Sequence, residues 1–465
     1  MTQPEQTVDV VVIGAGPTGE NVAARAVRGG LTAVLVESEL LGGECSYWAC
    51  MPSKALLRPV EVKAMADRLP GVPTGPLDVA AVLARRDSFV SHFDDAGQVS
   101  WAEGAGIGVV RGHGRLAGER RVEVTGPDGE VTVLHARHAV CLATGTSAVV
   151  PDLPGLREAR PWTSREVTSM RAVPRRLLVV GGGVVSVEMA QAAKGLGAEQ
   201  VVLLVRGDRL LERMEPYAGE LVADGLRATG VDVRFGAATA SVRRDADGVT
   251  VVLEDGSEVV GDELLVAVGR RPRTDDLGLD TVGLTPGRSV EVDDSLRVPG
   301  SAWLYAAGDV NGRALLTHMG KYQARVAGDV IAARATGARD DGPALRATAA
   351  VPQVVFTDPQ ACSVGPTEDE ARRDGRDVRS YSVDLGSVAG ASLLADGYTG
   401  RASVLVDERD VVVGATFVGQ DVAELLHSAT VAVAGGLTLQ QLWHAVPSYP
   451  TVSEAWLRLL EAAGL

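Results

Sequence analysis

Two cysteines five residues apart are the residues of this sequence best suited to chemistry. Cys45 and Cys50 lie in GGECSYWACMPSK, residues 42–54, and the 465-residue chain has only four cysteines. Such a pair can work as a dithiol and disulfide, form a structural cystine, or remain two unrelated thiols. On a regular helix their Cα atoms would be roughly 8–9 Å apart, whereas a disulfide needs less than about 7 Å. A bond therefore requires Cys45 in a loop or distorted turn, which Gly42-Gly43 supplies, with Cys50 inside the following helix.

Residues 8–37 predict a nucleotide-binding βαβ unit. An apolar run leads into Gly14, Gly16 and Gly19, a helix of small residues follows, and a second apolar run ends at Glu37. In a G-x-G-x-x-G turn the first glycine makes the tight turn, the second lets the backbone approach a pyrophosphate, and the third allows close helix–strand packing. The helix N-terminus faces the phosphates, and Glu37 is placed to accept hydrogen bonds from a ribose.

A second unit of the same kind begins at residue 176. Its turn contains Gly181 and Gly183, with Ser186 in place of the third glycine. Serine is small, so we expect the helix to pack on the strand as before. Two such units indicate two dinucleotides, or one bound and one exchanging.

The end of the second unit favours NADPH over NADH. Enzymes that bind NAD usually carry an acid there to hold the ribose 2′-hydroxyl, but this chain has Val205 followed by Arg206, with Arg209 and Arg213 nearby. Arginine pairs with a 2′-phosphate. The alternative is that these arginines form a solvated surface cluster.

Charge and composition narrow the class of protein. The formal net charge is −15, which argues against nucleic acid as a partner. Neither a signal peptide nor a membrane-length apolar run is evident, so we expect a cytoplasmic enzyme with no membrane partner. Cys141 and Cys362 are predicted to be buried core thiols, and no metal-ligand spacing is found.

The whole chain predicts an α/β fold with two Rossmann-like dinucleotide-binding domains and an α+β C-terminal domain. Residues 120–136 read as a hairpin turning at Gly-Pro-Asp-Gly, and apolar strands ending in glycine fall within 264–277 and 304–312. A long apolar helix is predicted around 421–435.

Taken in order, these motifs resemble the flavoprotein disulfide reductases, the family of dihydrolipoamide dehydrogenase, glutathione reductase and mercuric reductase. The resemblance covers almost the whole chain. It is carried by the two glycine turns, the cysteine segment and four further motifs, which are ATG (143–145), AAGD (306–309), FTDP (356–359) and PTVSE (450–454).

The resemblance implies a domain order and two cofactors. It implies an FAD-binding domain at 1–150, an NAD(P)-binding domain at 151–275, a return to the FAD domain at 276–345 and a dimerisation domain at 346–465. The cofactors would be FAD and NADPH, with NADH possible. A homodimer is implied, in which each C-terminal segment completes the partner's active site.

The resemblance also assigns roles to single residues. Cys50 would be the charge-transfer thiol facing the flavin and Cys45 the interchange thiol facing substrate. Lys54 would lie beside the flavin and pair with Glu188, although a lysine there by chance is the alternative. The remaining cofactor-binding residues implied are Thr144, Gly145, Asp309 and Gly269.

The sequence departs from the family at its catalytic base. The family's His-Pro-Thr-x-x-Glu reads Tyr449-Pro-Thr-Val-Ser-Glu454 here, so the spacing and the glutamate are kept but the histidine is lost. Tyrosine titrates near pH 10 and histidine near 6.5, which makes proton abstraction at neutral pH harder by roughly 5 kcal/mol. Efficient lipoamide or glutathione turnover is therefore not favoured. His444, five residues upstream, is a candidate substitute, or else a packing or surface residue.

Three functions remain open from the sequence. The first is a reductase of a disulfide or other thiol-reactive acceptor. The second is a quinone or dye reductase in which the flavin donates directly, and the third is a flavin-binding component without turnover. Mercury reduction is not favoured, because the chain ends in EAAGL without that enzyme's cysteine pair and lacks its N-terminal metal-binding extension. Tyr47 and Trp48 either pack in the core or reshape the substrate face beside Cys45.

Overall fold

The computed structural model describes residues 5–337, 344–345 and 350–465. Its strands in chain order are β1 (Glu5–Ile13), β2 (Ala33–Glu37), β3 (Ile107–Arg111), β4 (His113–Leu116), β5 (Arg121–Thr125), β6 (Val131–Leu142), β7 (Thr146–Ala148), β8 (Arg176–Val180), β9 (Gln200–Leu204), β10 (Asp232–Arg234), β11 (Thr239–Asp245), β12 (Gly248–Leu253), β13 (Glu258–Gly261), β14 (Glu263–Val266), β15 (Arg270–Pro272), β16 (Leu304–Ala306), β17 (Gln353–Val355), β18 (Gln360–Val364), β19 (Val378–Asp384), β20 (Arg401–Asp407) and β21 (Val412–Gly419).

The α-helices in chain order are α1 (Pro17–Arg28), α2 (Gly43–Tyr47), α3 (Cys50–Asp67), α4 (Val79–Phe89), α5 (Ala96–Gly104), α6 (Ser164–Thr168), α7 (Val184–Gly195), α8 (Pro216–Ala228), α9 (Thr317–Ala335), α10 (Glu368–Arg373), α11 (Ala389–Ser392), α12 (Val422–Gly435), α13 (Leu439–Leu442) and α14 (Ala455–Ala462).

The chain folds as two compact units. The first contains the described residues of Met1–Pro52, Asp87–Ala148 and Arg270–Arg346. The second contains those of Ser53–Arg86, Val149–Gly269 and Ala347–Leu465. The predicted boundaries of the FAD, NAD(P) and dimerisation segments stay a prediction, and the predicted boundary at 345/346 adjoins residues outside the described ranges.

A mixed sheet forms the centre of the first unit. Its order is β3-β2-β1-β6-β5-β4, with β16 paired to β6. Strands β1, β2, β3, β6 and β16 run parallel, while β4, β5 and β6 form the predicted antiparallel hairpin region. Alternate residues of β1 enter opposite cores, Val10 and Val12 on the face covered by α1 and α9, and Val11 and Ile13 on the other. Both faces are covered, which explains why β1 reads as a continuous apolar run.

Helices α1 and α9 pack closely in the first unit. Arg25 Nε donates to Asp329 Oδ1 at 2.7 Å, and a Cβ built on Gly29 would lie 2.3 Å from Ala332 Cβ. Small residues let the two helix backbones approach. The C-terminal half of α9 is thereby fixed against α1, the helix that follows the first glycine turn.

The second unit contains the second nucleotide-binding sheet. Strands β10, β9, β8 and β14 are parallel in that order, and β11, β12 and β13 form a separate antiparallel sheet. Alternate residues of β9 again enter two cores, with Val201 and Leu203 in one and Val202 and Leu204 in the other. The second βαβ unit therefore repeats the construction of the first.

A five-stranded antiparallel sheet completes the second unit. Its order is β17-β18-β21-β20-β19, and helices α12 and α14 share its core. The predicted apolar helix around 421–435 is α12. The predicted fold class, two Rossmann-like domains with an α+β C-terminal domain, is confirmed. Among the described residues no helix has the length and apolarity that crossing a membrane requires.

The first glycine turn depends on one very close approach. Gly14 has a φ of 101°, which favours glycine, and a Cβ on it would lie 2.4 Å from Ala143 O. A Cβ on Gly19 would lie 1.9 Å from Gly14 O. No side chain fits there without moving α1 away from β1.

We predict that Gly19→Ala lowers the free energy of unfolding by about 1–3 kcal/mol, because the added methyl overpacks this contact. Gly16→Ala is the matched control, since a Cβ on Gly16 meets nothing nearer than 3.9 Å. Chemical unfolding of the flavin-free proteins measures both. Equal stability of the two variants would show that the close approach carries no energetic weight.

Candidate active site

The segment that carries the two cysteines is a helix interrupted after one turn. Cys45 lies in α2, Trp48 and Ala49 are non-helical, and α3 begins at Cys50. Cys50 thus lies in the following helix, as its first residue, and Cys45 lies in the single turn before the interruption. The interruption removes the geometric obstacle of a continuous helix, and the two side chains hydrogen-bond to each other.

The two thiols share a polar environment in the first unit. Neither is in a disulfide, both are half-buried, and Cys50 Sγ lies 3.3 Å from Thr317 Oγ1 at the start of α9. The hydrogen bond with Cys50, together with burial, raises the pKa of Cys45, while Lys321, one turn after Thr317, acts in the opposite direction. The reduced pair is therefore joined by a hydrogen bond, with Thr317 and Lys321 as the polar groups beside it.

The cysteine segment is attached to the first glycine turn through backbone. Gly42 N donates to Ala15 O at 2.8 Å, and a Cβ on Gly43 would lie 2.8 Å from Gly16 Cα. These backbone contacts hold the segment that bears the two thiols directly against the first glycine turn.

The middle of the cysteine segment is anchored by α5 and the residue before it. Tyr47 is 1% exposed and its hydroxyl donates to Gln98 Oε1 at 3.3 Å. Leu41 N donates to Asp95 Oδ2 at 2.7 Å. Tyr47 is therefore a core residue, as one of the two sequence alternatives held.

Trp48 behaves differently from Tyr47. It is half-buried, and its ring lies 6.5 Å from that of Phe93, centroid to centroid. Phe93 belongs to three successive non-glycine residues in the left-handed region, Ser91, His92 and Phe93, with φ of 48°, 53° and 61°. Such conformations cost free energy in each residue and persist only where the surrounding structure holds them. The role of Trp48 at a substrate face stays a prediction.

The first glycine turn has the features that a dinucleotide requires. Gly16 precedes α1 with no atom near the position of a Cβ, which leaves its backbone open to a pyrophosphate. Glu37, at the end of β2, accepts from Ala15 N at 2.8 Å and from Glu39 N at 2.9 Å. Its carboxylate is thereby fixed at the place where a ribose is expected.

Asp309 follows β16 and is hydrogen-bonded to Thr146, the first residue of β7. Burial raises its pKa, and Thr146 Oγ1 donates to its Oδ2 at 2.8 Å. Thr144 Oγ1 donates to Arg273 O at 3.0 Å, and Arg273 N donates to Gly145 O at 3.0 Å. Together with the open glycine turn and Glu37, these groups fit FAD.

Glu20 is a half-buried acid that the sequence analysis did not single out. Burial raises its pKa to about 7, with Lys321 opposing and Glu37 adding to the shift. Its Oε1 is buried and has no hydrogen-bond partner in the described part of the chain. The sequence signal that could have identified Glu20 is a charged residue in a helix made mostly of small side chains.

Lys54 and Glu188 form the predicted ion pair, within the second unit. Lys54 Nζ lies 2.7 Å from Glu188 Oε2, and Glu188 is 3% exposed. The other carboxylate oxygen accepts from Phe356 N at 3.0 Å, and Lys54 Nζ sits 4.9 Å from the Phe356 ring centroid. The lysine is therefore placed by specific partners, and its role beside a flavin stays a prediction.

The second glycine turn repeats the first, with one difference. Gly181 has a φ of 131°, and a Cβ on it would lie 2.3 Å from Ala267 O. Ser186 is fully buried and its hydroxyl donates to the same Ala267 O at 3.3 Å. Gly183 caps the start of α7, and Gly269 has a φ of 138°. The serine accordingly packs as expected.

The basic residues after β9 are accessible. Val205 is 3% exposed, whereas Arg206 and Arg213 are exposed. Arg209 is half-buried and donates to Glu212 O at 3.2 Å. A buried valine cannot hold a ribose hydroxyl, and two exposed guanidinium groups remain available to an anion.

The C-terminal residues fall into a buried and an exposed group within the second unit. Glu454 is 5% exposed and accepts from Arg458 Nη2 at 2.8 Å. Tyr449 is 76% exposed, and His444 and Val446 are exposed as well. Within the described part of this unit, His444 forms no hydrogen bond or ion pair with Glu454.

Several residues of the site were missed by the sequence analysis. They are Thr146, Arg270, Arg273, Thr317, Lys321, Glu20 and Glu44. The cluster of arginines after Gly269 and the rarity of lysine were signals for three of them.

Comparison with known proteins agrees with this geometry. Residues 8–337 match the family model described as pyridine nucleotide-disulphide oxidoreductase, and residues 351–460 match its dimerisation domain. A mercuric reductase of Staphylococcus aureus is 30% identical over 456 residues, covering 96% of this chain and 80% of that protein. A dihydrolipoyl dehydrogenase of Thermus scotoductus is 33% identical over 469 residues, covering 98% and 97%.

The crystal structure of LpdA from Mycobacterium tuberculosis is similar throughout. It shares 26% identity, covers 98% of this chain and 100% of that one, and superposes with a TM-score of 0.84. With both family regions matched over most of its length, the chain belongs to the FAD-dependent pyridine nucleotide–disulphide oxidoreductases.

Proposed function

We propose that this enzyme passes electrons from NADPH through FAD and the Cys45–Cys50 pair to a disulfide or other thiol-reactive acceptor. The observation that carries the proposal is the hydrogen-bonded thiol pair attached to the first glycine turn. Bound FAD would supply hydride acceptance from the nicotinamide and two-electron transfer to the cysteines. Relatives named for mercuric and dihydrolipoyl substrates support a thiol-reactive acceptor class.

The cysteines supply the chemistry of the acceptor step. For a disulfide acceptor, Cys45 loses its proton and attacks one sulfur, forming a mixed disulfide and releasing one thiol. Cys50 then attacks Cys45 Sγ, which releases the second thiol and regenerates the Cys45–Cys50 disulfide. The two protons of the products come from the two cysteine thiols. Lys321 favours the thiolate of Cys45, and Thr317 positions Cys50.

NADPH is the proposed reductant because of the residues after β9. Val205 is buried and apolar, Arg206 follows it directly, and both Arg206 and Arg213 are exposed. Guanidinium groups bind phosphate through charge-assisted hydrogen bonds.

A homodimer is proposed, with the C-terminal segment of each subunit completing the other's site. The matched dimerisation domain supports this arrangement. So does the exposure of apolar and aromatic side chains around the segment, with Val446 at 84% and Tyr449 at 76%. Tyr449 would then shape the acceptor site, with Glu454 buried behind it.

The second candidate function is a quinone or dye reductase in which the flavin donates directly. The observation in its favour is Tyr449 where the family has histidine, since an acceptor that releases no thiolate needs no acid–base group there to protonate it. The two candidates differ in whether the cysteines are required.

Anaerobic titration with NADPH and then NADH tests the proposal. We predict a long-wavelength absorption band from a thiolate in contact with flavin. The band should be lost in Cys50→Ser and kept in Cys45→Ser, and neither variant should reduce disulfides. Cys141→Ala is the control, because burial raises the pKa of that thiol to about 12. Simple bleaching of the flavin, with quinone reduction unaffected by both serine variants, would favour the second candidate.

Nicotinamide selectivity provides a separate prediction. Arg206→Ala should raise the KM for NADPH about 10- to 100-fold and leave that for NADH unchanged, because only NADPH carries the 2′-phosphate. Arg175→Ala is the control, an exposed arginine of the same unit paired with Glu199. Equal effects on both nucleotides would indicate a surface cluster without a role in selectivity.

A shaping role for Tyr449 predicts that its hydroxyl is dispensable. Tyr449→Phe should retain kcat for the acceptor within about threefold, whereas loss of an acid–base group costs about 10²–10⁴-fold. The pH profile of kcat/KM should be unchanged by the substitution. A fall of a hundredfold or more, with a lost pH limb, would make Tyr449 a proton donor.

A further inference from the structure

The residue before Cys45 is a glutamate with two arginine partners. Arg273 Nη2 donates to Glu44 Oε1 at 2.9 Å, and Arg270 Nη2 lies 3.8 Å from Glu44 Oε2. The side chains of Glu44 and Arg270 are about a quarter exposed, and that of Arg273 is 37% exposed. This ion pair is therefore screened less by solvent than a pair on an open surface.

Arg270 is also linked to Asp309, through Thr146. Arg270 donates from Nε to Thr146 Oγ1 at 2.7 Å and from Nη2 to Thr146 O at 2.8 Å. Thr146 Oγ1 in turn donates to Asp309 Oδ2 at 2.8 Å. A continuous chain of polar contacts thus runs from the cysteine turn to the aspartate of the proposed flavin site.

The backbone that carries these arginines is itself fixed. Residues Arg270–Pro272 form β15, which pairs with β7, and the residue after it is held to Gly145 by a backbone hydrogen bond of 3.0 Å. Both strands lie at the ends of their chain segments in the first unit, directly beside the boundaries at 148/149 and 269/270. The partner of Glu44 is thus a two-stranded ribbon and not a mobile loop.

We propose that Arg273 and Arg270 are positioning residues that neutralise Glu44 and hold the turn bearing Cys45, so that this ion pair sets the acidity of the Cys45–Cys50 thiols. The proposal rests on the proposed function, in which those thiols are the electron carrier. A carboxylate adjacent to a thiol disfavours the thiolate, and a neighbouring cation favours it. An uncompensated Glu44 would therefore disfavour the thiolate at the next residue.

Other charged groups also act on Cys45 or on its neighbours. Lys321 on α9 acts on Cys45 and on Glu20 of α1, and Glu44 and Arg270 both act on Asp309. Glu39 lies 3.7 Å from Arg273 Nη1. Lys321, Glu20, Arg270, Asp309 and Glu39 are unchanged in the variants below.

Removing the positive or the negative partner of this ion pair should shift the thiol pKa in opposite directions. Arg273→Met leaves the Glu44 carboxylate poorly compensated, so the pKa of the flavin-contacting thiol should rise by about one pH unit. Glu44→Gln leaves Arg273 without its anion, so the same pKa should fall by about one unit. The double variant should return close to the original value, because it removes both charges. One pH unit corresponds to a tenfold change in the thiolate-to-thiol ratio.

The test is a pH titration of the long-wavelength band in the reduced holoenzyme. Arg271→Met is the matched control, since Arg271 lies on the same strand, is 62% exposed and pairs with Asp275. Arg273→Lys should recover most of the original value by restoring the positive charge. A role limited to stability would lower the melting temperature without moving the titration in opposite directions.

Each outcome decides between the proposals. If the unaltered enzyme shows no band, the proposed function fails. If it shows the band and the two single variants shift in the same direction or not at all, only the inference on Glu44 is overturned. Should Arg273→Met lose its flavin, Glu44→Gln decides alone, because its amide is similar in size, and a pKa that does not fall overturns the inference.

Discussion

Two thiols five residues apart cannot meet on a continuous helix, and much of the first unit is arranged around the break that lets them meet. The chain leaves the helix at Trp48 and Ala49 and restarts at Cys50. Because helical hydrogen bonds are missing at the break, contacts from residues outside the segment must fix its conformation. Asp95 and Gln98 do so on one side of the break, and Thr317 does so on the other.

The two nucleotide-binding units solve the same packing problem in slightly different ways. In each, the first glycine of the turn lies against the carbonyl that follows a neighbouring parallel strand, Ala143 O or Ala267 O. The first unit then needs Gly19, because a Cβ there would meet Gly14 O. The second accepts Ser186, whose hydroxyl uses Ala267 O as a hydrogen-bond acceptor. The close contact is steric in one unit and polar in the other.

The fold could be predicted from the sequence because its signals are local. Apolar runs, glycine turns and the hairpin at 120–136 each lie within one short window, and the family motifs fix their order. Lys54 with Glu188 was also accessible, because the resemblance names both positions. The sequence predicted that the helix could not be continuous between the two cysteines. It did not predict that the break falls at Trp48, because that position depends on contacts from α5.

The missed residues depend on tertiary contacts that no local pattern encodes. Glu44 and Arg273 are 229 positions apart, and Thr146 and Asp309 are 163 apart. Nothing in the spacing of these residues indicates that they meet, since the β7–β15 ribbon brings them together. Glu20 was overlooked for a related reason: its chemical character comes from burial, which a helix of small residues does not reveal.

The distribution of the four thiols also determines how the protein meets oxidants. Cys141 and Cys362 are completely buried, and burial raises the pKa of both, so neither offers a reactive thiolate. Oxidation is thereby directed to Cys45 and Cys50. A sulfenic acid formed at one of them has the other as an immediate resolving thiol, and condensation gives a disulfide before irreversible over-oxidation proceeds. The pair thus also protects the chain, because its oxidised product is a disulfide, which a nicotinamide-linked reductase can reverse.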